Sequence, residues 1–243
     1  MVRRYLDRAR QPQLRLDDVE IDALISAALA SASMMPTRER PVLDLEAFLE
    51  SGLEVDLDQH ATLDRDVLGL TTFARGQPPF VQINRDLTGA FDALDSTATD
   101  RARWRSTLAH ESAHVVIHRQ LFHLDARQGE LFVESDLSAP VSQRCLKRAV
   151  GFGIRGSDPR EVQANKGMAA LLMPRKLFVS EALLVAARLG LRPGNLSQDA
   201  LGTKRLVGAL AMRFAVSRQA VEIRLRGVGF IAPAGMASLP GVD

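Results

Sequence analysis

The sequence predicts an α+β fold in which a small antiparallel sheet packs on one long helix and a helical region follows. Three observations predict it. Short segments of alternating apolar and polar residues, separated by turn residues, lie between 53 and 84. A helical run over 100–119 is apolar nearly all the way round in its second half, which indicates a buried helix. After residue 157 the apolar residues recur with helical spacing.

The composition is that of an ordinary globular protein. Of 243 residues, 46% are hydrophobic, and 31 basic against 29 acidic residues leave a net charge of +2 without a dense basic block. There is no run of about eighteen apolar residues and no signal-peptide pattern, so we expect a cytoplasmic protein with no membrane contact. Since Cys145 is the single cysteine, a metal ion would have to be bound by histidines and carboxylates.

Three regions are expected along the chain. Residues 1–40 form an N-terminal helical extension, with one helix whose pattern begins near Asp17 and continues through Ala30. Residues 41–178 form the main domain. Residues 179–243 form a helical C-terminal region that ends in a frayed tail rich in Gly, Pro and Ala.

The main domain begins with a short amphipathic helix over 42–49, for which Gly52 is a plausible C-cap. Alternating and β-branched residues then predict the strands of the antiparallel sheet, over 53–57, 67–73 and 80–84.

The second half of the chain is mostly helical. Residues 120–156 have no clear pattern beyond a candidate strand over 130–134. Ser157 or Asp158 can then cap a helix with a proline in its first turn, which runs to Pro174. Further helical segments follow at 177–188, 203–214 and 217–226.

The long helix carries the pattern His-Glu-x-x-His at 110–114. Residues four apart share one face of a helix, so His110 and His114 can bind one metal ion while Glu111 projects beside it. Zinc accepts imidazole and carboxylate ligands, and with three of them it keeps a position for a water whose pKa falls to about 7. The pattern therefore predicts a Zn²⁺ hydrolase in which Glu111 is the general base.

A third protein ligand is needed, and three residues compete for that place. His118 lies on the same face, but eight residues from His110 is about 12 Å along the axis, too far for one ion with bonds near 2 Å. His123 lies just past the helix and could fold back. Glu161 opens a second helix and could complete the set from its first turn. However, Glu161 also follows Asp158 by three residues, a capping-box spacing that contributes about 1 kcal/mol without any metal.

Two segments resemble the signatures of the ImmA/IrrE family of zinc metallopeptidases. The first is 104–118, which ends in Ala-His-Glu-x-x-His and a trailing histidine. The second is Glu-Val-Gln-Ala-Asn at 161–165, followed by Ala-Ala-Leu-Leu-Met-Pro at 169–174. The resemblance covers roughly residues 41–230. This chain departs from the family where it has Ser112-Ala113 instead of Leu-Gly, and Gly167-Met168 instead of an aromatic and a small residue.

The resemblance implies a zincin-like metallopeptidase with Glu111 as the catalytic base. Members of the family typically cleave a helix-turn-helix transcriptional repressor and so derepress stress-response or mobile-element genes, and we expect such a repressor as the protein partner. The implied zinc ligands are His110, His114 and Glu161. The candidates for orienting these ligands or stabilising the oxyanion are His118, His123 and Asn165.

An alternative is a non-catalytic regulator of the same fold that binds a partner protein or DNA through its C-terminal helices. Residues 203–226 resemble a helix-turn-helix, but a solvated helical face explains their arginines equally well. Because the net charge is small, direct DNA binding is the less favoured interpretation. The arginines concerned are Arg213, Arg218, Arg224 and Arg226.

Overall fold

The computed structural model describes residues 3–6, 12–74, 76–122, 141–146, 158–194, 196–198 and 200–231. The fold is α+β, as predicted. It has two compact units, one built from Met1–Pro36 and Leu43–Pro174 and the other from Thr37–Val42 and Arg175–Asp243. None of the helices in the described ranges combines the length and the apolar character that a membrane crossing requires.

The first unit begins with an antiparallel pair of strands, β1 (Arg3–Leu6) and β2 (Pro12–Arg15), which the sequence did not predict. The expected helix follows as α1 (Asp18–Ser31). A complete capping box starts α1: Asp17 Oδ1 accepts a hydrogen bond from the Glu20 N–H at 2.8 Å, and Glu20 Oε2 accepts one from the Asp17 N–H at 3.0 Å.

The predicted helix over 42–49 and the strand over 53–57 are both displaced. Helix α2 (Leu45–Ala47) continues into a π-helical turn, Phe48–Gly52, so Gly52 lies inside helical structure instead of capping it. Residue Glu54 then takes a left-handed conformation with φ 55°, and the Val55 N–H donates to the Leu49 carbonyl at 3.1 Å. The left-handed residue and this hydrogen bond end the helical segment, and the strand therefore begins at Asp56.

The sheet has four strands in the order β3-β5-β4-β6, and it is mixed, so the expectation of an antiparallel sheet is wrong in one pairing. Strand β4 is antiparallel to β5 and to β6, but β3 is parallel to β5. The strands are β3 (Asp56–Ala61), β4 (Val67–Phe73), β5 (Phe80–Asn84) and β6 (Val141–Leu146).

The parallel pairing follows from the strand order. Strands β3 and β4 run in opposite directions, joined by the short link 62–66, and β5 returns from the turn at Gly76 to enter between them. A strand inserted between two antiparallel strands must be parallel to one of them. After β5, Asn84 caps helix α3 (Arg85–Asp92) and also donates from Nδ2 to the Val67 carbonyl at 2.9 Å.

Helix α4 (Ala98–Phe122), which contains the predicted run 100–119, packs on the sheet through β4 and on helix α5 (Pro159–Leu172). The α4 and α5 helices approach closely at Gly167. A Cβ added there would lie 2.7 Å from Ala113 Cβ and 3.0 Å from Ile117 Cδ1. The absence of a side chain at residue 167 therefore sets the distance between the two helices.

The second unit contains the three later helices, which begin and end within two residues of the predicted bounds: α6 (Arg175–Arg188), α7 (Leu201–Phe214) and α8 (Arg218–Gly227). The buried Glu181 carboxylate pairs with Arg38 at 3.0 Å and with Arg213 at 3.1 Å. Arg226 pairs with Glu222 at 3.7 Å. Arg213 and Arg226, at the α7–α8 turn, are thus each paired with a carboxylate of the protein. The expected tail beyond 231 and the candidate strand over 130–134 lie outside the described residues.

The close approach of α4 and α5 predicts that Gly167→Ala destabilises the protein. The added methyl group would meet Ala113 and Ile117 inside a packed core, and such overpacking costs about 1–3 kcal/mol. The free energy of unfolding in urea measures this loss. The matched control is Gly89→Ala in α3, where a Cβ meets nothing within 4 Å and a gain of up to about 1 kcal/mol is expected. Equal stability of the two variants would contradict the proposed packing constraint.

Candidate metal centre

Three side chains from two helices meet at one point. Helix α4 presents His110 and His114 from successive turns, and the first turn of α5 presents Glu161. The two Nε2 atoms are 3.0 Å apart. His110 Nε2 is 3.2 Å from Glu161 Oε2, and His114 Nε2 is 3.3 Å from Glu161 Oε1. The two histidines and the glutamate that the sequence analysis named as candidate ligands therefore lie close enough together to bind one ion.

These separations fit a small tetrahedral metal ion. Ligands bonded at 2.0–2.1 Å at tetrahedral angles lie about 3.3–3.4 Å from one another, close to the three distances observed. Unprotonated imidazole nitrogens and an ionised carboxylate are all acceptors, so their convergence is favourable only with a cation or proton between them. Two nitrogens and one carboxylate oxygen are a donor set that divalent zinc accepts.

The side chain of Glu161 faces the histidines and takes no part in a capping box. The start of α5 is capped by Asp158 alone, whose Oδ1 accepts a hydrogen bond from the Arg160 N–H at 2.9 Å. In α1, by contrast, Glu20 occupies the corresponding third helical position and does turn back to the capping residue. The three-residue spacing between Asp158 and Glu161 thus allows a capping box, but the Glu161 carboxylate contacts His110 and His114 instead.

The three side chains of the cluster differ in the direction in which their surroundings shift their pKa values. Burial raises the pKa of the Glu161 carboxyl, but the hydrogen bond with His110 and the close approach of the His114 ring outweigh it and hold that pKa well below its usual range. Burial also lowers the pKa of His110, yet the hydrogen bond to Glu161 and the charges of Glu111 and Glu161 bring it above its usual value. The pKa of His114 is lowered, because burial and the charge of His110 exceed the opposing effect of the nearby Glu161 carboxylate. The Glu161 carboxylate is therefore ionised, as a metal ligand must be.

Glu111 is completely buried, and its carboxylate faces strand β4. The Thr71 hydroxyl donates a hydrogen bond to Glu111 Oε2. Gly69, two residues earlier on the same face of β4, leaves room for the carboxylate: a Cβ at that position would lie 2.5 Å from Oε1. Gly69 thus provides space for the side chain of the predicted base, and Thr71 provides its hydrogen-bond donor.

The other candidate residues lie behind the ligands or outside the described part of the chain. Asn165 Oδ1 is 3.1 Å from His110 Nδ1. His118 is buried, with Nδ1 3.1 Å from His114 Nδ1 and Nε2 3.1 Å from Gln163 Oε1. Burial and the charge of His114 lower the pKa of His118 to about 3, so its ring is neutral. His123 falls outside the described residues.

Sequence reasoning missed three residues that contact the candidate site. A glycine inside the apolar strand β4 is a signal of close approach, and it would have pointed to Gly69. Thr71 follows it by two positions and so shares its face. Gln163 is a polar residue on a helix that was expected to be strongly apolar, and a buried amide requires partners.

The Thr71 contact predicts that Thr71→Val is destabilising although valine suits a strand. The substitution removes a donor from a buried carboxylate, a loss of about 1.5–3 kcal/mol for a hydrogen bond to a charged group. The loss is measured as the change in the free energy of unfolding in urea. Thr71→Ser, which keeps the hydroxyl, should be more stable than Thr71→Val. If the valine variant proved as stable as the serine variant, the hydrogen bond would not be contributing.

Comparison with known proteins gives no family assignment: no protein-family model matches the chain, and no curated protein matches it. The function must therefore be inferred from the geometry of this site together with the two sequence signatures.

Proposed function

We propose that the protein is a cytoplasmic zinc-dependent endopeptidase that cleaves a helix-turn-helix transcriptional repressor and so derepresses stress-response or mobile-element genes. The observation that carries this proposal is the convergence of His110, His114 and Glu161 beside the buried Glu111. The choice of substrate rests on the resemblance of the two signatures to the ImmA/IrrE family.

In this proposal each side chain has a separate task. His110, His114 and Glu161 would hold a zinc ion, which would supply Lewis-acid chemistry by polarising the scissile carbonyl and the attacking water. Glu111 accepts a proton from that water and passes it to the leaving amine. Thr71 holds one oxygen of Glu111 in a fixed direction, so the base is oriented before the substrate arrives.

The exposure of the ligands indicates where a peptide would enter. The side chains of His110 and His114 are 0% exposed, whereas that of Glu161 is 14% exposed. Within the described residues, the cluster is thus most exposed on the side nearest the start of α5. We propose that the substrate approaches from this side.

Ligation by Glu161 predicts that Glu161→Gln weakens zinc binding without unfolding α5. The loss should exceed about 100-fold in Kd, because removing only a partner of a ligand already costs about 10–100-fold. Competition with a chromophoric chelator measures the Kd, and circular dichroism monitors the helix.

The matched control for this substitution is Glu20→Gln, which changes the same residue type at the same helical position of α1 in a true capping box. It should lower stability slightly and leave the zinc Kd unchanged. Equal zinc affinities of the two variants would exclude Glu161 as a ligand.

The role of Glu111 predicts that Glu111→Gln keeps its zinc and loses peptidase activity by about 10²–10⁴-fold, the usual contribution of a general base. The assay is cleavage of a purified helix-turn-helix repressor encoded beside the gene, with zinc content measured in the same preparations. Glu50→Gln, at an exposed position, is the control and should cleave like the wild type.

Cleavage by Glu111→Gln at the wild-type rate would refute the assigned base. A zinc-loaded wild-type protein that binds the repressor without cleaving it would favour the alternative of a non-catalytic regulator.

A further inference from the structure

A continuous chain of hydrogen bonds runs from the N-terminal strands to a metal ligand. It begins at the backbone carbonyl of Leu14 in β2, passes through the side chains of Gln163 and His118, and ends at the ring of His114. The side chains of His118 and His114 are fully buried and Gln163 is nearly so. Each bond must therefore be made with the correct donor and acceptor, since a mismatched buried pair is costly.

The direction of the chain is set at its first bond. The distance from Gln163 Nε2 to the Leu14 carbonyl oxygen is 2.6 Å. A carbonyl can only accept, so the nitrogen end of the amide must face Leu14. The oxygen end, Oε1, then faces His118 at 3.1 Å from Nε2.

That orientation determines the tautomer of His118. Oε1 of Gln163 can only accept, so His118 must carry its proton on Nε2. In a neutral imidazole the other nitrogen is then an acceptor. His118 Nδ1 consequently presents a lone pair to His114 Nδ1, 3.1 Å away.

The tautomer of His114 follows in the same way. Its Nδ1 must donate to His118, which leaves the lone pair on Nε2, the atom that faces His110 and Glu161. The opposite tautomer would place a proton where a metal ion has to bind. Asn165 has the corresponding effect on the neutral form of His110, because its Oδ1 accepts from Nδ1 and leaves the lone pair of that form on Nε2.

We propose that Gln163 and His118 are positioning residues which, anchored by the Leu14 carbonyl, fix His114 in the tautomer that presents Nε2 to the metal. This inference rests on the metal centre of the proposed function, but not on peptidase activity. It assigns the trailing histidine a task other than ligation, and it makes strand β2 part of the support of the metal site.

The direct test is the tautomeric state of the metal-free protein. Two-bond ¹H–¹⁵N correlation spectra of uniformly labelled protein distinguish a ring protonated at Nδ1 from one protonated at Nε2. We expect His118 with the proton on Nε2 and His114 with the proton on Nδ1. A wild-type spectrum with His114 protonated at Nε2 would overturn the proposal, whether or not the protein is a peptidase.

Substitutions then connect the tautomer with metal affinity. Gln163→Leu and His118→Leu should both lose the single His114 tautomer and weaken the zinc Kd by about 10–100-fold. His118→Asn should recover much of this loss, because its amide oxygen can replace Nδ1 as the acceptor for His114. Thr107→Val on the same helix, whose buried hydroxyl donates to the Arg103 carbonyl at 3.0 Å, should match the wild type in both measurements.

The outcomes separate this proposal from the proposed function. If Gln163→Leu kept the wild-type tautomers and the wild-type zinc Kd, the proposed positioning role of the hydrogen-bond chain would be refuted. The metal centre itself would not be affected by that result. Failure of His118→Asn to bind zinc better than His118→Leu would refute the positioning role as well, provided that circular dichroism shows both variants folded. A wild-type protein that binds no zinc would refute the proposed function, and the metal-free spectrum would still decide the tautomers.

Discussion

The approach of α4 to α5 at Ala113 and Gly167 is the constraint on which the candidate site depends. The two candidate histidine ligands lie on α4 on either side of this contact, and Glu161 lies on α5 before Gly167. Metal ligands need separations close to those that bonds of about 2 Å impose, so a displacement of one helix by an ångström would move Glu161 out of the set. Ala113 and Gly167 therefore determine the separation of the candidate ligands, although neither residue is itself a candidate ligand.

Over residues 107–118 helix α4 is buried nearly all round, and it contributes to the candidate site on two faces. Its glutamate faces β4, and its histidines face α5. Burial excludes water from these polar groups, and each must find a partner within the protein. Thr71 serves Glu111, Asn165 serves His110, and His118 serves His114. The sheet and helix α5 thus provide polar contacts as well as an apolar core: β4 contacts the proposed base, and α5 contacts the candidate ligand His110.

The sequence allowed the local features to be predicted and left the tertiary ones open. The spacing of His110 and His114 is sufficient to place both on one helix face. Caps and prolines located most of the helices to within a few residues, but helix α3 was not predicted. The parallel pairing of β3 and β5 could not be predicted, because it depends on which strand enters between which neighbours. The role of Gln163 could not be predicted either, since its partners are 45 residues away at His118 and 149 residues away at Leu14.

The unequal exposure of the three ligand side chains has a kinetic consequence. Among the described residues, both imidazoles are buried and the carboxylate is the more exposed group, so an ion bound by these three side chains would exchange with a chelator after movement of Glu161. The residence time of the ion would then be governed by the rotation of one side chain at the first turn of α5, whereas the equilibrium affinity is shared among all three ligands. The protein could therefore hold its metal for longer, or release it sooner, without any change in how tightly the metal is bound.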